Sequence, residues 1–271
     1  MSTLRFTILG SGSSGGTPRS TGNWGACDPN EPRNRRTRCG AMVQLWRGEA
    51  GAAEEATCVV IDTPPELREQ LARAKPHHVD AVLYTHAHAD QAHGIDDLRA
   101  FLIERRTLTP VYMDAPTRAE LVPRFRYCFE GAGGYPAIIT DAGELEPFAP
   151  LTIDGPGGAL TAVPLPQDHG GSVSLGFRFG PVAYSNDVVA FSEQSLQALG
   201  GLRLWIVDAL RETPHPTHAH LQQSLDWIAL LKPARAVLTN LHMDFDYNAL
   251  AARLPAGVEP AYDGWSADLT V

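Results

Sequence analysis

Short apolar runs recur along the chain, and most of them close on small or polar residues. Leu4 to Leu9, Ala41 to Trp46, Thr57 to Ile61, Asp80 to Tyr84, Pro110 to Met113, Leu160 to Leu165, Ser174 to Phe179, Val182 to Tyr184, Arg203 to Val207 and Ala234 to Leu238 have the length and apolar or β-branched content of strands. Helical apolar spacing falls between them: Glu66 to Ala74, Ile95 to Leu102, a stretch after Met113 reaching about Phe129, Ser192 to Leu199, His220 to Leu231 and Tyr247 to Arg253. Strands that bunch in groups with helices between them predict an α/β protein, two sheets face to face with helices outside, a four-layer αββα sandwich. No Gly/Ser-rich linker or charge run divides the chain, so 1–271 reads as one domain.

The polar residues that follow these runs carry the chemistry. Tyr84-Thr-His-Ala-His-Ala-Asp-Gln-Ala-His-Gly94 lies where a strand should give way to a helix, the kind of loop in which function gathers. His86 and His88 are two apart, so an extended backbone points both imidazoles to one side, and Asp90 is free to turn toward a second ion. Other metal-ligating types stand just past later runs: His169 after Leu160–Leu165, Asp187 after Val182–Tyr184, Asp208 at the end of Leu204–Val207, and His242 after Ala236–Leu238. One histidine so placed is ordinarily a structural group. The repetition at several strand ends, added to the loop, points to a metal centre. Asp62, after Thr57–Ile61, has two readings: with Thr63 it is a candidate cap for the following helix, or its carboxylate orients a metal-bound histidine.

Two other stretches are less specific. Gly10-Ser-Gly-Ser-Ser-Gly-Gly16 follows the first strand, and its glycines suit either an anion-binding rim or a tight turn; no dinucleotide fingerprint is present. Thr17 to Arg38 is irregular and basic, and Arg33, Arg35, Arg36 and Arg38 read equally as phosphate-binding guanidiniums or as a solvated face. It also holds Cys27, with Cys39 just beyond, too few ligands for a metal site of their own.

Composition narrows the partners. With a formal charge of −9, 44% apolar and 20% charged residues, the chain has the make-up of a globular protein and lacks the basic surface of an extended nucleic-acid binder. Four unevenly spaced cysteines imply no disulfide framework, and neither a basic leader nor a membrane-spanning run is visible, so a cytoplasmic location is the expectation. The oligomeric state stays open, a homodimer included.

The His-Ala-His-Ala-Asp loop, with His169, Asp187 and His242 behind it, resembles the metallo-β-lactamase fold. Leu-Gly-Ser-Gly-Ser-Ser-Gly-Gly at 9–16, Gly-Ile-Asp-Asp-Leu-Arg at 94–99, Phe-Glu-Gly-Ala-Gly-Gly-Tyr-Pro at 129–136 and His-Pro-Thr-His at 215–218 are similar to its phosphoribosyl 1,2-cyclic phosphodiesterase-like branch. The resemblance implies His86, His88 and His169 around a first divalent metal, zinc or manganese, and Asp90 and His242 at a second, with Asp187 bridging. It also implies His218 as a catalytic histidine near the leaving group and Asp208 as outer support. The activity implied is hydrolysis of a small cyclic or nucleotide-like phosphodiester by a metal-activated hydroxide, with hydrolysis of a carboxylic ester, thioester or lactone as the alternative. The chain departs from the family at Gln91, where the motif normally has a ligating histidine. Three consequences are open: Gln91 binds through its carbonyl and favours a harder ion such as manganese, His93 takes the histidine's place, or the second site is weak and the protein an attenuated metal or nucleotide binder. The branch can also carry an early cysteine-rich zinc cluster closed by a late histidine; here Cys27 and Cys39 remain, with Phe245 in the region of that histidine.

Overall fold

Parallel strands buried on both faces read as unbroken apolar runs, and the runs at 57–61 and 81–83 are buried at every residue. The computed structural model describes residues Met1–Val271. In chain order the strands are β1 (Ser2–Gly10), β2 (Gly40–Arg47), β3 (Thr57–Ile61), β4 (Ala81–Leu83), β5 (Thr109–Met113), β6 (Ile139–Glu144), β7 (Leu151–Ile153), β8 (Leu160–Asp168), β9 (Val173–Phe179), β10 (Val182–Ser185), β11 (Ala190–Phe191), β12 (Leu204–Asp208), β13 (Arg235–Thr239), β14 (Val258–Pro260) and β15 (Ser266–Thr270). The helices are α1 (Leu67–Ala74), α2 (Ala89–Ala92), α3 (Arg99–Arg105), α4 (Ala115–Arg124), α5 (Arg126–Glu130), α6 (Glu193–Ala198), α7 (Leu221–Leu231) and α8 (Tyr247–Ala251). Two multi-stranded sheets with helices are the mixed α/β arrangement the sequence predicts. No helix is long and apolar enough to cross a membrane.

Backbone contacts divide the chain into two compact units, each assembled from separated segments. The first comprises Met1–Leu9, Gly40–Thr161 and Ser266–Val271. Its sheet runs β15-β1-β2-β3-β4-β5-β6, with β3, β4, β5 and β6 parallel in sequence of pairing. One face of that sheet packs Met42, Val60, Val82, Val111 and Met113 against Leu67, Leu71, Leu98 and Leu121 from the helical side. Residues of the opposite alternation, Val59, Ile61, Ala81 and Leu83, are also buried, which is why these strands carry no polar face.

The second unit comprises Gly10–Cys39 and Ala162–Trp265. β8, β9 and β10 pair antiparallel, and β10, β12, β13 and β14 pair parallel, so the carboxyl ends of β10, β12 and β13 lie on one edge. Ser185 pairs with Val207 and Asp208 with Thr239, which fixes the order of the polar residues that follow. Trp205 is fully buried between these strands and donates its indole N–H to Ser185 Oγ at 3.1 Å.

Several expectations change. The helix expected to run to about Phe129 is two helices parted at Phe125; Pro123, inside the last turn of α4, lacks the N–H that would continue it. Asp62 and Thr63 do not cap α1, whose N-cap is Glu66. The segment after Gly94 opens as a 3₁₀ turn, Ile95–Leu98, before α3. The sequence pattern missed β6, β7, β11, β14 and β15, which are short, polar or both: only one of the six residues of β6 and one of the five of β15 are buried. Such strands lack the apolar alternation by which a strand is recognised.

Gly94 fixes the exit of the Tyr84–Gly94 loop. Its N–H donates to Thr63 O at 2.8 Å, and a Cβ added there would stand 2.1 Å from Pro64 O and 2.9 Å from Leu67 Cβ. Gly94→Ala is therefore expected to lower unfolding stability by roughly 1–3 kcal/mol through overpacking, measured by denaturant titration.

Candidate metal centre

In the first unit, Ile61 pairs with Leu83 in parallel register, so the residues following β3 and β4 emerge side by side. Asp62 turns there with φ 63° and is fully buried. Thr85 gives this carboxylate two hydrogen bonds, N–H to Oδ1 at 2.8 Å and Oγ1 to Oδ2 at 2.9 Å. With its own hydrogen directed to Asp62, the Thr85 hydroxyl accepts from His86 Nδ1 at 2.9 Å. That leaves His86 Nε2 as the lone-pair nitrogen, and it faces His88 Nδ1 at 2.9 Å. Asp62 is thus an outer carboxylate acting on His86 through Thr85, a residue the sequence pattern did not single out.

Asp90 and Gln91 lie in the single turn of α2. Gln91 is buried; its main-chain carbonyl accepts from Thr63 N at 2.7 Å, and its amide Nε2 stands 3.3 Å from Asp90 Oδ2. His93, at the end of that turn, is exposed and packs edge-on against Phe125, ring centroids 5.6 Å apart.

In the second unit the carboxyl ends of β8, β10, β12 and β13 supply the remaining candidates. His169 is buried and its Nδ1 donates to Thr217 O at 2.8 Å, again leaving Nε2 as the acceptor nitrogen. Gly170 allows that approach: at φ 62°, a Cβ would meet Pro216 O at 2.3 Å. Asp187, φ 53°, is buried and accepts from Asn186 Nδ2 at 2.8 Å and Asn240 Nδ2 at 3.1 Å. His218 Nδ1 stands 2.9 Å from Asp208 Oδ2 and 3.3 Å from Asp187 Oδ1, so it carries the proton and donates to Asp208. Ligand atoms of His169, Asp187 and His218 all lie within 4.8 Å of one another. Burial, then the adjoining His218, lowers the pKa of His215 below the ordinary imidazole value. His242 is half-buried, its Nδ1 2.8 Å from Asp244 Oδ2, and its N–H donates to Leu210 O at 2.9 Å.

Asp62, Asp187 and Asn240 share one feature: each is a non-glycine residue with positive φ at or just past a strand end. Asp and Asn tolerate this conformation better than other side chains, and strained backbone gathers at functional sites. An Asp or Asn closing an apolar run is the signal by which Asn240 could have been found. The donors presented in the two units are imidazole nitrogens and carboxylate oxygens, a set that fits a divalent zinc or manganese ion.

The four arginines of the basic loop hold different positions. Arg33 donates to both oxygens of Glu31, at 2.7 and 2.8 Å, and holds that carboxyl down to about 2. Arg35 is exposed over the Trp24 ring. Arg36 is 1% exposed, so it is no surface phosphate contact. Arg38 is half-buried beside Gly16. Nor do the cysteines present thiolates: burial pushes the Cys27 thiol up and Cys39 well above its ordinary range, with Cys27 Sγ donating to Phe245 O and Cys39 Sγ against Thr239. In the glycine-rich loop, Gly12 N–H donates to Thr37 O and Gly16 N–H to Ser13 O; the glycines serve close packing, since a Cβ on Gly12 would stand 2.9 Å from Arg36 Cβ.

Histidines and carboxylates at strand ends of mixed sheets are the donor set of a metallo-hydrolase. Residues 57–243, more than half of the chain, match the family described as beta-lactamase superfamily domain, and the chain belongs to that superfamily. A crystal structure described as a new diphosphatase from the PhnP family is similar at 30% identity and a TM-score of 0.84, over 99% of this chain and 98% of that one. Zn²⁺-bound PqqB from Methylobacterium extorquens shares the fold at 17% identity and a TM-score of 0.70, over 98% of this chain and all of that one. A curated octanoyltransferase of Porphyromonas gingivalis (strain ATCC BAA-308 / W83) is 28% identical over 268 residues, 97% of this chain; the chain spans about half of that relative, 51%.

The relay through Thr85 gives a test. Thr85→Val keeps the shape but removes the hydroxyl between Asp62 and His86, and loss of such outer support is expected to weaken metal binding by ~10–100-fold. Titration of the metal-free variant with zinc, followed calorimetrically, measures it.

Proposed function

We propose that this superfamily hydrolase is a metal-dependent phosphodiesterase of the phosphoribosyl 1,2-cyclic phosphodiesterase-like kind, acting in the cytoplasm on a small cyclic or nucleotide-like phosphodiester. The observation that carries the reading is His218. Asp208 accepts the hydrogen of its Nδ1 at 2.9 Å and Asp187 lies at 3.3 Å, which orients the ring so that Nε2 would meet a departing oxygen. A diphosphatase among the similar structures supports phosphorus as the centre attacked.

His86, His88 and His169 would hold one divalent metal, and Asp90 and His242 a second, with Asp187 between them. A divalent metal so held supplies water acidified to a pKa near ~7 and an electrophile for phosphoryl oxygens. The chain's own residues do the rest. Asp62 and Thr85 fix the His86 tautomer, the Thr217 carbonyl fixes that of His169, and Asp208 aligns His218 for proton delivery. Gln91, hard and neutral where an imidazole is usual, would make the second ion the weaker-bound one and favour manganese there.

A second reading, cleavage of a carboxylic ester or thioester, is favoured by the acyl-transfer name of the relative this chain half-spans. Turnover of bis(p-nitrophenyl) phosphate against p-nitrophenyl acetate, with zinc and with manganese, separates the two. We expect the phosphodiester to be the better substrate and His88→Ala or Asp90→Ala to abolish its turnover. His218→Ala should lose ~10²–10⁴-fold in rate with metal content unchanged. Preference for the acetate, or protein that takes up no transition metal, would overturn the reading. Gln91→His creating activity in an inert parent would instead mark the natural chain as a binder.

A further inference from the structure

A buried cation ordinarily has a buried anion. Arg36 is 1% exposed, yet its hydrogen bonds go to no carboxylate. Nη2 donates to Phe245 O at 2.7 Å and to Asn34 Oδ1 at 3.1 Å; Nη1 donates to His242 O at 3.4 Å and lies 3.8 Å from Cys27 Sγ. Two main-chain carbonyls, an amide oxygen and a sulfur form a ring of neutral acceptors around the positive charge, with the Asp263 and Asp246 carboxylates acting on it from further off. Burial acts against the charge and lowers the Arg36 pKa from its ordinary value, so these contacts have to offset a real desolvation cost.

What the guanidinium grips is the turn between β13 and α8. The same turn is held on that side by other residues of the 11–36 segment: Leu241 N–H donates to Ser11 O at 2.9 Å, Ala26 N–H to Met243 O at 2.9 Å, and Tyr247 N–H to Asn34 Oδ1 at 2.8 Å. Cys27 Sγ shares the Phe245 carbonyl with Arg36, at 3.2 Å. Asn34 Nδ2 ties in Asp246 at 2.6 Å, and that carboxylate caps α8. The one metal-ligating imidazole on the turn is His242, whose own carbonyl Arg36 takes.

We propose that Arg36 is a positioning residue for His242: its fork fixes the main chain at 242 and 245 and thereby sets where the His242 imidazole presents its nitrogen. The inference rests on His242 being a metal ligand. Lysine cannot substitute, because a single ammonium has no planar fork to span both carbonyls, although it keeps the charge.

The test is metal titration of the metal-free protein, with manganese and with zinc, for wild type, His242→Ala and Arg36→Lys, beside thermal unfolding without metal. His242→Ala should lose one class of site. Arg36→Lys should keep both classes, with the His242-dependent one weakened on the order of 10-fold and the other unchanged, whatever the fall in the metal-free midpoint. Wild-type affinity in Arg36→Lys, or equal weakening of both classes, would overturn the proposal. If His242→Ala binds metal as wild type does, the assignment of His242 as a ligand fails and the proposal falls with it. Should Arg36→Lys not fold, the wild-type protein carries the question: with ¹⁵N-labelled arginine, the Arg36 side-chain signal should shift on metal addition, and not in His242→Ala. A signal that ignores the metal in wild type would sink the idea.

Discussion

A carboxylate with no access to water has to be met by donors, and Asp62 is in that position. Parallel pairing of β3 with β4 sets Thr85 beside it, and Thr85 supplies both an amide and a hydroxyl. Once the hydroxyl hydrogen is committed to Asp62, the oxygen can only accept, so it accepts the His86 Nδ1–H and leaves Nε2 as the nitrogen without a hydrogen, 2.9 Å from His88 Nδ1. The chemistry of the loop therefore descends from strand register. In the second unit the same logic recurs with different atoms: Asp208, buried at the end of β12, fixes His218, and the Thr217 carbonyl fixes His169. In each case a group of the protein fixes which ring nitrogen carries the hydrogen.

How much of this was legible in the sequence follows from where each interaction is encoded. The apolar runs of β3, β4, β12 and β13 announce themselves because no face of them is polar, and a polar residue closing such a run stands out at once. His86, His88, Asp208 and His242 were visible for that reason, and His169 and Asp187 because they follow the apolar runs of β8 and β10. Thr85 was not, since a threonine next to a strand looks like part of the strand; its role depends on a partner 23 residues away in the neighbouring parallel strand. Asn240 likewise reads as a turn residue until its φ of 62° and its bond to Asp187 are seen.

Arg36 shows the opposite failure. Among Arg33, Arg35 and Arg38 it looks like one member of a basic surface, and composition offers no way to separate it. Its carbonyl partners lie 206 and 209 residues further along the chain, at His242 and Phe245. Charge in a sequence indicates solvent only on average; a guanidinium given enough neutral acceptors can be interior. The neighbouring arginines differ again, one neutralised by Glu31 and one laid over Trp24, so four residues of one type hold different positions with different chemistry.

These features bear together on the second metal of the proposed site. Of its candidate ligands, Asp90 stands in a one-turn helix beside the amide of Gln91, and His242 on a turn whose main chain is gripped by a buried cation. An imidazole at 91 would add a borderline nitrogen donor; the amide instead offers an oxygen, weaker and harder. With that donor weakened, more of the affinity falls on how well Asp90 and His242 are held before the ion arrives, because ligands already in place lose less freedom on binding. On that reading a rigid His242 turn is what a glutamine-containing site would require, and the hydrogen bonds from Arg36 to the main chain at 242 and 245 would supply it.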